Sequence, residues 1–285
     1  MRRTCFIFAT ATCLFVAEPG RAGDVRIFHD DFAKAVADDS PLVGTWSDTV
    51  NRSSGTRFSQ LPNAGAYAPI FPDRDRDHSI AYVVQTGRNG NGAFDPGGIA
   101  NFDTSLVTGT EATLDYGEVA FRFRNRKSTA GSLSDGRLNL SLLDGTTAVA
   151  DIDISYIGQP QDISVIDIDE DGTFDDGLLD TGPRNLAWVY NNVPNRTLFR
   201  YGTVLPTGMW TLFDLGEAGG PRIVRSVVTG VLRDGTVDGF EIRVLDGISA
   251  NYAFDDLVVT ALSVPEPTAA AGVFGVLGLM SARRR

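Results

Sequence analysis

Cysteine is almost missing from this sequence: the two present, Cys5 and Cys13, both fall within the first apolar stretch. A chain cut behind that stretch has no thiol nucleophile and no disulfide, so its stability must come from its core, its backbone pairing or a bound ion. Histidine is nearly as scarce, with only His29 and His78. With no Gly-x-Ser-x-Gly elbow either, a histidine-based hydrolytic triad is not supported. His78 follows Pro72-Asp73-Arg74-Asp75-Arg76-Asp77, whose alternating charges read as a solvated loop. Glutamate is rare as well, seven residues against 29 aspartates. Aspartate favours turns while glutamate favours helices, so the bias points to many loops and few helices, and 31 glycines agree. Long apolar runs are also lacking. The terminal ones, residues 5–17 and 269–280, fall short of the roughly twenty residues an ordinary membrane-spanning helix needs.

The N-terminal run has the layout of a leader. Arg2 and Arg3 form a basic start, residues 5–17 (CFIFATATCLFVA) an apolar middle, and Gly20 and Ala22 put small residues at positions −3 and −1 of a cut after Ala22. Residues 1–22 are therefore expected to be a secretory signal peptide.

The C-terminus carries Pro265-Glu266-Pro267, then a short apolar segment, then Arg283, Arg284 and Arg285. The arginines would stay on the cytoplasmic side of a membrane, which puts the body outside. The three features in this order resemble the PEP-CTERM sorting tail of Gram-negative bacteria. That resemblance covers about residues 263–285 and implies recognition by an exosortase-type transpeptidase, a transient stay in the inner membrane through a short hydrophobic helix, and delivery to the cell surface or extracellular matrix. It implies nothing about the activity of the body.

Without leader and tail, the 25 basic and 36 acidic residues lose six arginines and two glutamates, which leaves 19 and 34 and a net charge of −15. Such a body repels nucleic acid phosphates and anionic lipid, and favours solubility and cation binding. Residues 23–262 are long enough for one large sandwich with a single core or for two small domains, and no second domain boundary is clear. Strand patterns occur at residues 80–85, 117–124, 136–143, 148–156, 186–190, 223–232, 239–245 and 254–262. Period-two alternation in VAFRFR, RLNLSLL, VADIDIS and FEIRVL implies one buried and one solvated face. Asp144-Gly145 and Asp246-Gly247 follow strands as turn signals. Only residues 31–37 (DFAKAVA) hint at a helix. The expected fold is all-β, an antiparallel β-sandwich of jelly-roll type.

The body opens on IFHDDF at residues 27–32 and closes on YAFDDLVV at residues 252–259. This layout resembles exported concanavalin-like sandwiches, and the resemblance implies that a DDF-type first strand lies beside the terminal FDDL strand. Glucanases of that class carry a Glu-x-Asp-x-x-Glu strand motif. The glutamates of the body, Glu111, Glu118, Glu170, Glu217 and Glu241, form no such cluster. Trp46, Trp188 and Trp210 are candidates for stacking on sugar rings, with core packing as the alternative. The expected role is that of a non-enzymatic surface or matrix protein in contact with exopolysaccharide. The alternative is a lectin-like carbohydrate-binding or glycan-hydrolysing protein.

Residues 167–177 (DIDEDGTFDDG) place Asp167, Asp169 and Asp171 at positions one, three and five, Gly172 at six, Thr173 at seven and Asp175 at nine of a calcium loop. Position twelve is Leu178 where a carboxylate should close the shell, so an isolated loop between strands fits better than a full EF-hand. Calcium is the expected ion, because the clustered aspartates repel one another unless a cation offsets them. At about a hundred times its Kd it would add roughly 2.7 kcal/mol of stability. A thermal melt in chelator and in calcium checks this: the midpoint should rise with calcium in the wild type and rise less in Asp169→Ala and Asp171→Ala. An unmoved wild-type midpoint, or an equal rise in both variants, would make the loop a solvated turn.

Overall fold

The alternating runs form the strands that pair across two sheets. The computed structural model of the 285-residue chain describes residues 23–32, 42–47, 58–62, 71, 73–74, 79–84, 97–126, 136–156, 183–247 and 251–264. The described strands are β1 (Val25–Asp30), β2 (Thr45–Ser47), β3 (Phe58–Pro62), β4 (Ser79–Val84), β5 (Gly97–Asn101), β6 (Ala112–Arg126), β7 (Gly136–Asp144) and β8 (Thr147–Tyr156). They continue with β9 (Arg184–Asn191), β10 (Leu198–Arg200), β11 (Thr203–Leu205), β12 (Met209–Glu217), β13 (Arg225–Val231), β14 (Gly239–Gly247) and β15 (Asn251–Ser263). One sheet runs β13-β12-β9-β6-β15-β4-β3 with β1 also on β15, the other β2-β5-β14-β7-β8, and β10 and β11 form a separate hairpin. Every strand pair is antiparallel, for example β6 with β9 and β7 with β14. The fold is thus an antiparallel β-sandwich of jelly-roll type, as the residue pattern implied.

All eight strand runs seen in the sequence are strands here, shifted by a few residues at their ends. The hinted helix is not supported by its two described residues: Asp31 and Phe32 are not helical, and Phe32 has a φ of 57°. Among the described residues the helical structure is one 3-10 turn, Thr104–Val107, and no helix is long and apolar enough to cross a membrane. The leader, most of the sorting tail, His78 and the whole of the aspartate loop at 167–177 lie outside the described residues.

The two sheets meet through aromatic rings. Phe240 of β14 lies 5.9 Å from Phe121 of β6 and 6.3 Å from Trp188 of β9, so one ring ties the smaller sheet to two strands of the larger. Each such pair adds about 0.5–1.5 kcal/mol beyond its buried area. Trp188 also meets Trp210 edge-on at 5.4 Å. Room for these rings comes from glycine on the neighbouring strand: a Cβ on Gly230 would lie 2.2 Å from Trp210 Cζ2, and one on Gly117 2.3 Å from the Tyr190 hydroxyl.

The long strand β15 has β6 along one edge and shares its other edge between β4, opposite residues 251–254, and β1, opposite residues 257–261. The change of partner occurs at a bulge between Asp255 and Val258, where Asp256 adopts a φ of 49°. Asp255 is fully buried and is met by Arg74 Nε at 3.3 Å. Arg74 also pairs with Asp256, and Arg122 of β6 bridges Asp256 at 2.9 Å and Asp73 at 2.7 Å. The β1–β15 pairing brings the DDF and FDDL segments together, with Asp30 opposite Leu257. That is the neighbourhood implied by the resemblance of the two ends.

Candidate functional site

The outer face of the eight-stranded sheet is apolar where β9 and β12 cross it, with Ala187, Val189 and Phe213 pointing away from the main core. Left open, this surface would favour association with other molecules. The β10–β11 hairpin covers it instead, seating Leu198 and Leu205 beside these residues. Tyr201 and Gly202 make the turn with φ values of 49° and 78°, the two left-handed positions of a tight hairpin. Buried Asn191 holds the connection through Nδ2, which donates to the Arg196 and Leu205 carbonyls at 3.0 and 2.9 Å.

Beneath the hairpin lies Glu118 of β6. Its Oε2 accepts from Arg200 Nε at 2.9 Å and Nη2 at 2.8 Å, and its Oε1 accepts from the Tyr201 hydroxyl at 2.9 Å. Burial alone would lower the Arg200 pKa, but the Glu118 carboxylate outweighs it and the net direction is up. The Tyr201 phenol is also pushed up, first by burial and then by Glu118. Tyr201 packs edge-on against Phe213 at 5.1 Å, and the guanidinium carbons of Arg200 and Arg222 lie 5.0 and 5.2 Å from its ring centroid.

Strand alternation turns the hairpin's other face outward. Phe199 and Val204 are directly paired across it and are 53% and 58% exposed. Arg222 brings the β12–β13 connection against the turn, and Ile223, next in that segment, is 62% exposed. Arg222 itself is exposed and has no carboxylate partner among the described residues. The pinned hairpin therefore exposes an aromatic ring and an aliphatic neighbour, and the adjoining β12–β13 connection brings an exposed guanidinium to its turn. Such a surface can stack on an apolar ring face and donate hydrogen bonds beside it.

The tryptophans chosen for stacking are placed otherwise. Trp188 is fully buried and Trp210 is 6% exposed, both in the main core, so neither offers a face to a sugar. The reason is volume: these rings fill the space between the sheets. Trp46 is half-buried, edge-on to Phe28 at 5.3 Å, and its indole Nε1 donates to Asp30 Oδ2 at 2.7 Å. The residues missed were Phe199, Arg200, Tyr201 and Arg222. Gly202 between the short runs LFR and TVL was the signal that could have found them.

The two glutamates Glu118 and Glu241, on opposite sheets, are placed differently. Glu118 spends both oxygens on the hairpin. Glu241 lies on the outer face of the five-stranded sheet, opposite Ser141, with Arg243 Nε at 4.0 Å. Asp151, on the other side of Ser141, is met by Arg233 at 3.2 Å. Ser141 donates to Asn139 and Asn139 to Asp153, each at 2.7 Å, which knits this polar face together. Among the described residues no three of His, Cys, Asp or Glu are grouped to hold a metal ion.

No family model matches the chain, and no curated protein matches it. Several solved structures are similar. The CBM2 module of the evolved Dit of Lactobacillus casei BL23 phage J-1 is 13% identical with a TM-score of 0.47, over 86% of this chain and 98% of that one. Lectin II from Ulex europaeus is 8% identical with a TM-score of 0.37, over 77% and 99%. Winged bean acidic lectin, complexed with methyl-α-D-galactose, is 11% identical with a TM-score of 0.39, over 77% and 98%. At these values the likeness is one of layered architecture alone.

Replacing Glu118 by Gln should cost about 3 kcal/mol, because it leaves the Arg200 charge without its partner. Urea unfolding should show this loss, and Glu118→Leu combined with Arg200→Met should recover most of it. The raised Tyr201 pKa favours the neutral phenol in the folded chain. Its contribution is therefore complete below about pH 10 and is lost as the pH climbs above that value.

Proposed function

We propose that the chain is an exported, non-enzymatic β-sandwich protein of the cell surface or extracellular matrix that contacts glycan through the outer face of the β10–β11 hairpin. The observation that carries this reading is the exposed Phe199–Val204 pair on a hairpin anchored to the sheet, with Arg222, which has no carboxylate partner among the described residues, against the ring of its turn residue Tyr201. A rigid platform binds with little loss of side-chain and loop entropy, which suits repeated weak contacts along a polymer. Both oxygens of Glu118 are taken up by Arg200 and Tyr201, which supports a structural rather than a catalytic part for that carboxylate. Affinity gel electrophoresis of the full-length chain in polysaccharide-containing gels tests the reading. Retardation should be reduced by Phe199→Ala without release of reducing sugar. No retardation on any polysaccharide would remove the glycan contact, and turnover lost in Glu241→Gln would replace binding by catalysis.

Sorting is part of the same proposal. The leader, the Pro265-Glu266-Pro267 motif and the Arg283–Arg285 cluster support export followed by exosortase-type processing. In a host with that system, intact mass of the exported form should lack everything beyond about Pro267. Retention of the three arginines would make the tail a plain anchor. The calcium loop centred on Asp169 and Asp171 completes the proposal as a stabilising element.

A further inference from the structure

We infer that the hairpin surface selects an acidic glycan and that Arg222 is the residue that recognises its carboxylate, an inference that rests on the glycan-contact reading above.

The charges around the surface single out Arg222. Arg200 is matched by Glu118, and Arg184 and Arg225 share Asp214 at 3.2 and 3.0 Å. Glu217 adds a second carboxylate to that group, 3.9 Å from Arg184. Arg222, between these two balanced groups, has no carboxylate of its own among the described residues. The Tyr201 ring therefore lies under a surplus cation, in a chain whose net charge is −11. A neutral polysaccharide can accept hydrogen bonds from Arg222 but gains no charge pairing from that arrangement. An anionic one is repelled by the acidic remainder of the molecule and drawn to the hairpin, so the same charge pattern both attracts and orients it.

The geometry fits an oxyanion such as a carboxylate. Contact with Tyr201 engages the guanidinium through the ring's π-cloud, and among the described residues its N–H groups have no hydrogen-bonding partner. Those donors form a planar fork that matches the two oxygens of a carboxylate. The ring that steadies Arg222 is in turn fixed by Glu118 through its hydroxyl, so the fork sits on a braced support. Phe199, two residues before Tyr201 on the outward face, supplies the apolar surface on which the sugar ring rests. The aromatic contact lies on the hairpin and the cationic one in the β12–β13 connection that packs against its turn, as an acid-bearing sugar requires.

The probe is polygalacturonate, with its fully methyl-esterified form as the same backbone without charge and dextran as an unrelated neutral polymer. The full-length wild type should be retained by the acid at least about tenfold more strongly than by the ester, the factor expected for one charge-assisted hydrogen-bonded pair. Added salt should narrow that gap. Arg222→Gln should bring the acid down to the level of the ester, while Phe199→Ala should weaken both forms together. Arg233→Gln removes an exposed arginine on the β8 side of the molecule and should change neither. Equal retention of acid and ester, or an Arg233→Gln loss as large as that of Arg222→Gln, would overturn the acidic class while leaving glycan contact standing. Failure of all three polymers to retain the wild type would overturn both.

Discussion

The ion pairs at Asp255 and Asp256 hold the bend on which the eight-stranded sheet is built. Without a bulge, β15 could offer its free edge to one straight neighbour only; with it, the same edge takes β4 and then β1. The left-handed backbone at Asp256 and the full burial of Asp255 both oppose this arrangement. Arg74 and Arg122 offset them, and Arg122, by reaching Asp73, also fastens the connection before β4 to the sheet. Chain closure between the opening and closing strands is therefore set by five charged side chains, Asp73, Arg74, Arg122, Asp255 and Asp256.

A second consequence of the sheet order is that β9 and β12 lie side by side near one edge, each apolar on both faces. Their inner faces fill the sandwich, and their outer faces need a separate cover. The hairpin is that cover, and Glu118 satisfies the polar groups brought down with it. The proposed ligand surface is thus the upper side of a structural repair. Its position follows from where apolar area had to be hidden.

The same double burial concealed β12, although β9, equally buried, was legible as the short apolar run at residues 186–190. Strands with one solvated face, such as β6, β7, β8 and β14, show their period-two alternation plainly and were recognised from it. In β12, the run MWTLFDLGE has buried residues in succession and no alternation, so nothing marked it as a strand. The three-residue strands β2, β10 and β11 are too short to show any period. Glu118 could be seen as a rare glutamate, but its partner is 82 residues away in sequence, and no local pattern announces a contact at that separation. The tryptophans show the opposite limit: their chemistry suits sugar stacking, yet orientation is decided by which strand face they occupy.

The pairing of β15 also has a mechanical meaning. The strand ends at Ser263, where its backbone N–H and hydroxyl are tied to Asp24 beside the start of β1. A pull applied at Val264 would run along the strand axis, with β6 on one side and β1 on the other. Hydrogen bonds on both sides would then be loaded together in shear, sharing the tension, rather than being peeled apart in turn. Force entering through the C-terminal end meets the most heavily bonded strand of the sheet first, and a body dragged by a moving polymer would yield elsewhere before it yielded there.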